Sequence, residues 1–229
     1  MLKPVQNEFL AMGYVAMSLG PVEAEKLFKK YTDNGDFRSI ICYQDGSYRR
    51  TTHPNIVLDY RVDQKGTVVQ QRIWQPSQTG DVRRHVTGAT ILRPVFFVRT
   101  DNVIGVDMSN ARSSGALNIF NSDAPAPLGV TSTHFSLKWP GYAQGFKKQQ
   151  ELRDSNRIPY TMSKLVERVA RFIERFIEEA ATWPIDPNFQ HWRVGPGAIT
   201  KDHLYIVGLI HVSAGTWQPI IQMKHLNFH

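Results

Sequence analysis

The chain contains one cysteine, Cys42, so no disulfide can form within it, and no Asn-x-Ser/Thr glycosylation acceptor occurs anywhere along it. Both absences point to a reducing, intracellular setting. No stretch reaches the roughly 18 to 20 apolar residues that a membrane helix needs, so a soluble protein without a membrane partner is expected. The stretch 2–19 is moderately apolar, but Glu8 interrupts it and only Lys3 leads it, which is a poor pattern for a secretory signal. Chemistry-bearing motifs are also missing. There is no Gly-x-Ser-x-Gly elbow, and Gly195-Pro-Gly197 runs into a strand pattern where a phosphate-cradling loop would need a helix N-terminus. With one cysteine in the chain and His203 and His211 eight apart, no zinc module is read, and Asp101, Asn102 and Asp107 lack the carboxylate rhythm of a calcium loop. No catalytic residue, metal or cofactor is therefore assigned.

What is present reads as one α+β domain over residues 1–229, long enough to bury a sizeable core at 41% hydrophobic and 21% charged. A helix is expected from Pro21 to Tyr31, with Glu23 and Glu25 at its positive end, Lys29 and Lys30 at its negative end, and Asn34-Gly35 as its stop. A shorter helix within 8–17 is weakened by Gly13. Short β-branched and aromatic runs follow at 39–43, 56–62, 67–74, 90–99, 103–107, 117–120 and 131–139. Turn residues at Asp45-Gly46, Lys65-Gly66 and Asp101-Asn102 suit tight hairpins, so the sheet is expected to be antiparallel. A long amphipathic helix, about 162–181, places Leu165, Val169, Phe172, Ile173, Phe176, Ile177 and Ala180 on one face and eight balanced charges on the other. That helix should pack its aromatic stripe on the sheet. A C-terminal hairpin, 204–212 and 217–226, closes the fold, and Pro219 confines its second strand to an edge or a bulge.

The net charge of +7 is concentrated in one segment. Between positions 49 and 99 there are nine basic residues against Asp59, Asp63 and Asp81, a local excess of +6. Arg49, Arg50, Arg61, Arg72, Arg83 and Arg84 are the candidate polyanion-binding residues, and Tyr48, Tyr60 and Trp74 are interleaved with them. Arginines beside aromatics on a sheet neutralise phosphates and stack bases in single-strand binders. Period-two alternation alone also puts polar residues on the outer face of a half-exposed sheet. Arg83-Arg84-His85 reads as a loop tip, the part that alternation explains least.

A second candidate region is aromatic. Trp139, Tyr142, Trp192 and Trp217 stand beside glycine or proline, where such residues either rim a pocket or plug the ends of a sheet, with plugging the favoured role. His191, His211 and Gln218 are the polar groups expected to face such a pocket. His211 and Ser213 share one strand face about 7 Å apart, too far for a direct nucleophile–base hydrogen bond. Cys42, in Ile40-Ile-Cys-Tyr43, reads as a small buried hydrophobe.

The segments Leu137-Lys-Trp-Pro-Gly-Tyr142, Pro159-Tyr-Thr-Met-Ser-Lys-Leu165 and His211-Val-Ser-Ala-Gly-Thr-Trp217-Gln-Pro219 resemble a family of uncharacterised intracellular proteins of mushroom-forming fungi. The resemblance spans roughly the last 95 residues and implies an intracellular, multi-copy family, with no reaction or ligand attached. Lys138-Trp-Pro-Gly-Tyr142 is also similar to the core of chromodomains, but the Trp-Glu-Pro that should follow is missing, so methyl-lysine reading is not carried over. The leading expectation is a non-enzymatic intracellular binding module whose basic sheet contacts nucleic acid or an acidic protein. The alternative is a small-molecule binding protein or enzyme with a pocket near His211, Ser213 and Trp217, and a homo-oligomeric structural subunit is a third class.

Overall fold

The helical start expected from the sequence is present and is broken at glycine. In the computed structural model, residues 7–32, 36–111 and 118–225 are described. Helices α1 (Phe9–Met12) and α2 (Tyr14–Leu19) meet at Gly13, and α3 (Pro21–Tyr31) starts at the proline after Gly20, whose φ of +84° favours a residue without Cβ. The expected stop at Asn34-Gly35 lies outside the described residues. Gly13 is required by a close approach: a Cβ there would lie 2.3 Å from Asp59 Oδ2 and 2.5 Å from the Phe9 carbonyl oxygen. The buried Asp59 reaches the first turn of α2, where Oδ2 accepts from the Val15 N–H at 3.2 Å, while Oδ1 accepts from the Tyr60 N–H at 2.7 Å. Burial pushes its carboxyl well above the usual range, and the backbone donors oppose that shift.

Strands β1 (Ile40–Cys42), β2 (Ser47–Arg50) and β3 (His53–Tyr60) form an antiparallel sheet in that order, with Gly46 at φ +77° in the first turn. Next come β4 (Gly66–Val68) and α4 (Thr79–Val82), which runs into a π-helical turn over Arg83–Thr87. The sequence reading has a loop tip at that turn. β5 (Val95–Phe96), β6 (Val106–Asp107), β7 (Ser132–Leu137) and β8 (Phe146–Glu151) precede α5 (Met162–Ala180), and β9 (Leu204–Ser213) and β10 (Thr216–Lys224) close the chain. Of the expected run 117–120, Leu117 is outside the described residues, and Ile119 makes one bridge with Arg99.

The second sheet has seven strands, ordered β5-β9-β10-β7-β8, with β4 also on β10 and β6 also on β9. Its ladders are antiparallel except between β7 and β10, which run parallel where His134 and Phe135 meet Thr216 and Trp217. β8 is absent from the sequence reading because Phe-Lys-Lys-Gln-Gln-Glu has no β-branched residue. It is an edge strand whose only buried residue is Phe146.

The β9–β10 hairpin is covered on both faces. Leu204, Ile206, Leu209, Trp217 and Ile221 belong to one core with the apolar stripe of α5, while Val207, Ile210, Val212 and Ile220 belong to the other with α1–α3 and the small sheet. The result is three layers: α5, the seven-stranded sheet, and the N-terminal helices with the three-stranded sheet. Thr161 caps α5 by accepting from the Lys164 N–H at 3.3 Å, and the outer face carries the ion pairs Arg171–Glu167 and Arg175–Glu179 at 2.6 and 2.8 Å. Pro219 lies in an interior strand, beside a register shift at Ile220/Ile221 and in the gap between the β7 and β4 pairings, where Gln71 Nε2 donates to its carbonyl at 2.7 Å. The missing proline N–H therefore breaks no ladder. No helix among the described residues is long and apolar enough to cross a membrane.

Candidate functional site

The predicted basic residues divide between the two sheets. Arg49, on β2, pairs with Asp45, donates to Ser47 Oγ at 2.6 Å and lies 5.2 Å from the Tyr43 ring centre. Arg50 donates to Ser39 Oγ at 3.3 Å. Arg61 pairs with Glu8, which also accepts from the Tyr48 hydroxyl at 3.1 Å. These three therefore tie the small sheet to its own turns and to the start of α1. Lys65 and Arg99 are likewise matched, with Asp63 at 2.9 Å and Asp101 at 2.6 Å. Arg72, Arg83, Arg84 and Arg93 are exposed and make no ion pair among the described residues.

An open cleft of about 490 Å³ lies at the β9–β10 turn, and Arg72, Arg83 and Arg84 stand in the chain within two residues of Trp74, Asp81 and His85, which line it. Its walls include Trp74, Asp81, His85, His134, Lys147 and Ser213. Four separate anchorages build it. Lys30, on α3, donates to the carbonyls of Val86 and Thr87, and the Ala214 N–H donates to the His85 carbonyl at 2.9 Å, so the π-helical turn is fastened through its last three carbonyls. The strand side is set by Gln218, whose Oε1 accepts from the Trp74 N–H at 2.6 Å and whose Nε2 donates to the Arg72 carbonyl at 3.2 Å. That buried side-chain amide replaces one rung of a β-ladder where the run 67–74 has left β10. The ammonium of Lys147, on edge strand β8, sits 3.7 Å from the Trp74 ring centre. Partial burial there holds it below the usual lysine value. His134 comes from β7 through the parallel pairing with Thr216. On the helical turn, His85 Nε2 lies 4.0 Å from Asp81 Oδ1.

The predicted aromatic pocket residues do not all meet. Trp139, Tyr142 and Trp192 join Phe146, Phe176 and Trp183 in a ring cluster of the α5 core, with Trp139 Nε1 donating to the Trp192 carbonyl at 2.8 Å and the Tyr142 hydroxyl accepting from the Val194 N–H at 3.1 Å. They plug one end of the sheet, and the exposed His191 borders that plug, 5.7 Å from the Trp192 ring. His211 stacks on Trp217 at 4.4 Å and 14° behind the cleft, and its Nδ1 accepts from the Leu92 N–H at 2.8 Å. An acceptor Nδ1 fixes the neutral tautomer, and desolvation lowers the His211 pKa to about 4. Of the predicted pocket residues, Ser213 alone lines the cleft, while Gln218 acts from behind as a clamp. Cys42 is half-buried on β1, and burial pushes its thiol up, away from a reactive thiolate.

Sequence reasoning missed His134 and Lys147. Both lie on strands where outward alternation is the only local signal, and nothing in the order of residues joins them to Trp74. A second cleft of about 470 Å³, beside Met12, Met17 and Val62, holds none of the predicted residues. No group of three or more His, Cys, Asp or Glu among the described residues could hold a metal ion. Set against protein-family models, curated proteins and solved structures, the chain matches none.

Proposed function

We propose that this protein is an intracellular, non-enzymatic binding module for polyanions, nucleic acid or an acidic protein surface, and that the contact is made at the cleft beside the β9–β10 turn. The observation that carries the reading is the division of the cations. Arg49 and Arg61 are matched by carboxylates of their own layer and Arg50 donates to Ser39, whereas Arg83 and Arg84 stand unmatched on the turn whose His85 lines the cleft. Unmatched charge on a rigid turn is what a polyanion can neutralise, because no internal pair has to be broken first. The intracellular setting is supported by the lone cysteine and the absence of a glycosylation acceptor.

The test is fluorescence anisotropy of labelled DNA, RNA and an acidic peptide, at low salt and near physiological ionic strength, about 0.15 M. Binding should persist at the higher salt, and Arg83→Glu with Arg84→Glu should weaken it and flatten its salt dependence. Affinity unchanged by that double reversal removes this patch from the function. A second reading, a small-molecule binding protein or enzyme, is favoured by Ser213 lining the same cleft as His85 and His134. It expects heat stabilisation by a metabolite, lost in Ser213→Ala with the fold intact.

A further inference from the structure

Three aromatics are interleaved with the basic segment, and the fold treats them differently. Tyr48 is buried in the N-terminal core, 6.2 Å from the Phe9 ring, and Tyr60 packs edge-on against Phe96 at 5.1 Å. Trp74 lines the open cleft. Its backbone is fixed by Gln218, one part of its ring packs against the N-terminal core, and the Lys147 ammonium covers the ring at 3.7 Å. A half-exposed indole on a clamped backbone, covered by the ammonium at the end of one long side chain, is a stacking platform already oriented for use.

We propose that the cleft receives one unstacked base of a single-stranded nucleic acid on the face of Trp74, with Lys147 moving from the ring to the adjoining phosphate. The inference rests on the polyanion reading above and names its ligand. Volume permits it, since about 490 Å³ falls within the range of roughly 300 to 1,000 Å³ found for small-ligand sites. The floor permits it too, because Gly215 at the hairpin turn has open space where a side chain would stand. Polar groups ring the platform: Ser213 and Thr216 from the hairpin, and Gln75 and Ser77 from the segment after Trp74, match the hydrogen-bonding edges of a base. Asp81 is the only carboxylate among the described lining residues, and His85 stands beside it. A duplex keeps its base faces stacked and could use only the cations, and an acidic peptide has no use for the ring face.

The experiment compares two labelled strands of equal length and charge, oligouridylate and its abasic counterpart, by anisotropy on the full chain near physiological salt. The wild-type protein should hold the base-bearing strand at least about tenfold more tightly. Trp74→Ala should bring the two strands to one affinity, and Trp74→Phe should restore the difference; circular dichroism and Tm verify that each variant is folded. Equal wild-type affinity for the two strands overturns the stacking inference without needing any variant, and leaves the polyanion reading standing if Arg83→Glu with Arg84→Glu still weakens both. Tighter binding of duplex or of poly-aspartate than of oligouridylate also overturns it. Binding of no polyanion at all removes the inference and the reading beneath it together.

Discussion

Arg49 and Arg61 belong to the N-terminal layer, each beside a carboxylate that its own turn or helix supplies, whereas Arg83 and Arg84 lie on the turn whose His85 lines the cleft, with no ion pair among the described residues. The same side chain therefore builds structure in one region and stands available in the other. Position in the basic run does not decide which; the nearest acid does. The N-terminal layer pairs its charged groups with one another and buries the carboxyl of Asp59 under α2, and its substitutions should be read in stability. The cleft region leaves its cations outward, and its substitutions should be read in binding.

The largest effect that sharpens this contrast concerns the wall behind the cleft. His211 has a folded pKa of about 4, below the ordinary imidazole value of 6.5, so the unfolded chain takes up the proton first. Its stability contribution is complete above pH 6.5 and is lost as pH falls toward 4, at about 1.4 kcal/mol per pH unit and about 3 kcal/mol across the window. Urea unfolding at several pH values should show that slope, and His211→Phe should remove most of it. In the N-terminal layer, Gly13→Ala forces a Cβ onto Asp59 and the Phe9 carbonyl, which should cost about 1 to 3 kcal/mol and lower Tm while leaving polyanion affinity unchanged. Arg61→Ala leaves Glu8, whose side chain is 19% exposed, without its cation. A loss of about 0.2 to 1 kcal/mol in stability with no change in binding is expected from that variant, and a binding defect would break the contrast between the regions.

The elements that were legible in the sequence are those whose cause is local. The α5 stripe repeats at helical spacing between Thr161 and Pro184, Pro21 starts α3, and the apolar run from Leu204 meets its partner across a Gly-containing turn. The class and the closing hairpin follow from these. β8 was not legible because an edge strand facing solvent needs no β-branched residues. α4 and its π-helical turn were not legible because contacts from Lys30 and Ala214, remote in the chain, fasten a sequence that contains Gly80 and the β-branched Val82. The aromatics near Trp139 allowed two roles on composition alone; their mutual ring contacts select the plug. The cleft itself depends on register. Trp74, His134, Lys147 and Ser213 meet because β10 pairs with β9 and β7 and because Gln218 holds the passing segment, and none of those pairings is written in local periodicity.

The measurement that bears most directly on the central claim is the salt dependence of single-stranded RNA binding, compared between two double reversals of equal charge. One is Arg83→Glu with Arg84→Glu at the cleft, and the other is Arg49→Glu with Arg50→Glu on the small sheet. The expected result is a fall in affinity and in the slope of log K against log salt, by about 1 to 2, for the cleft pair, with the sheet pair close to wild type in binding and lower in Tm. Equal losses from both pairs would show that binding follows overall charge and not the cleft, and would contradict the division of roles between the two regions.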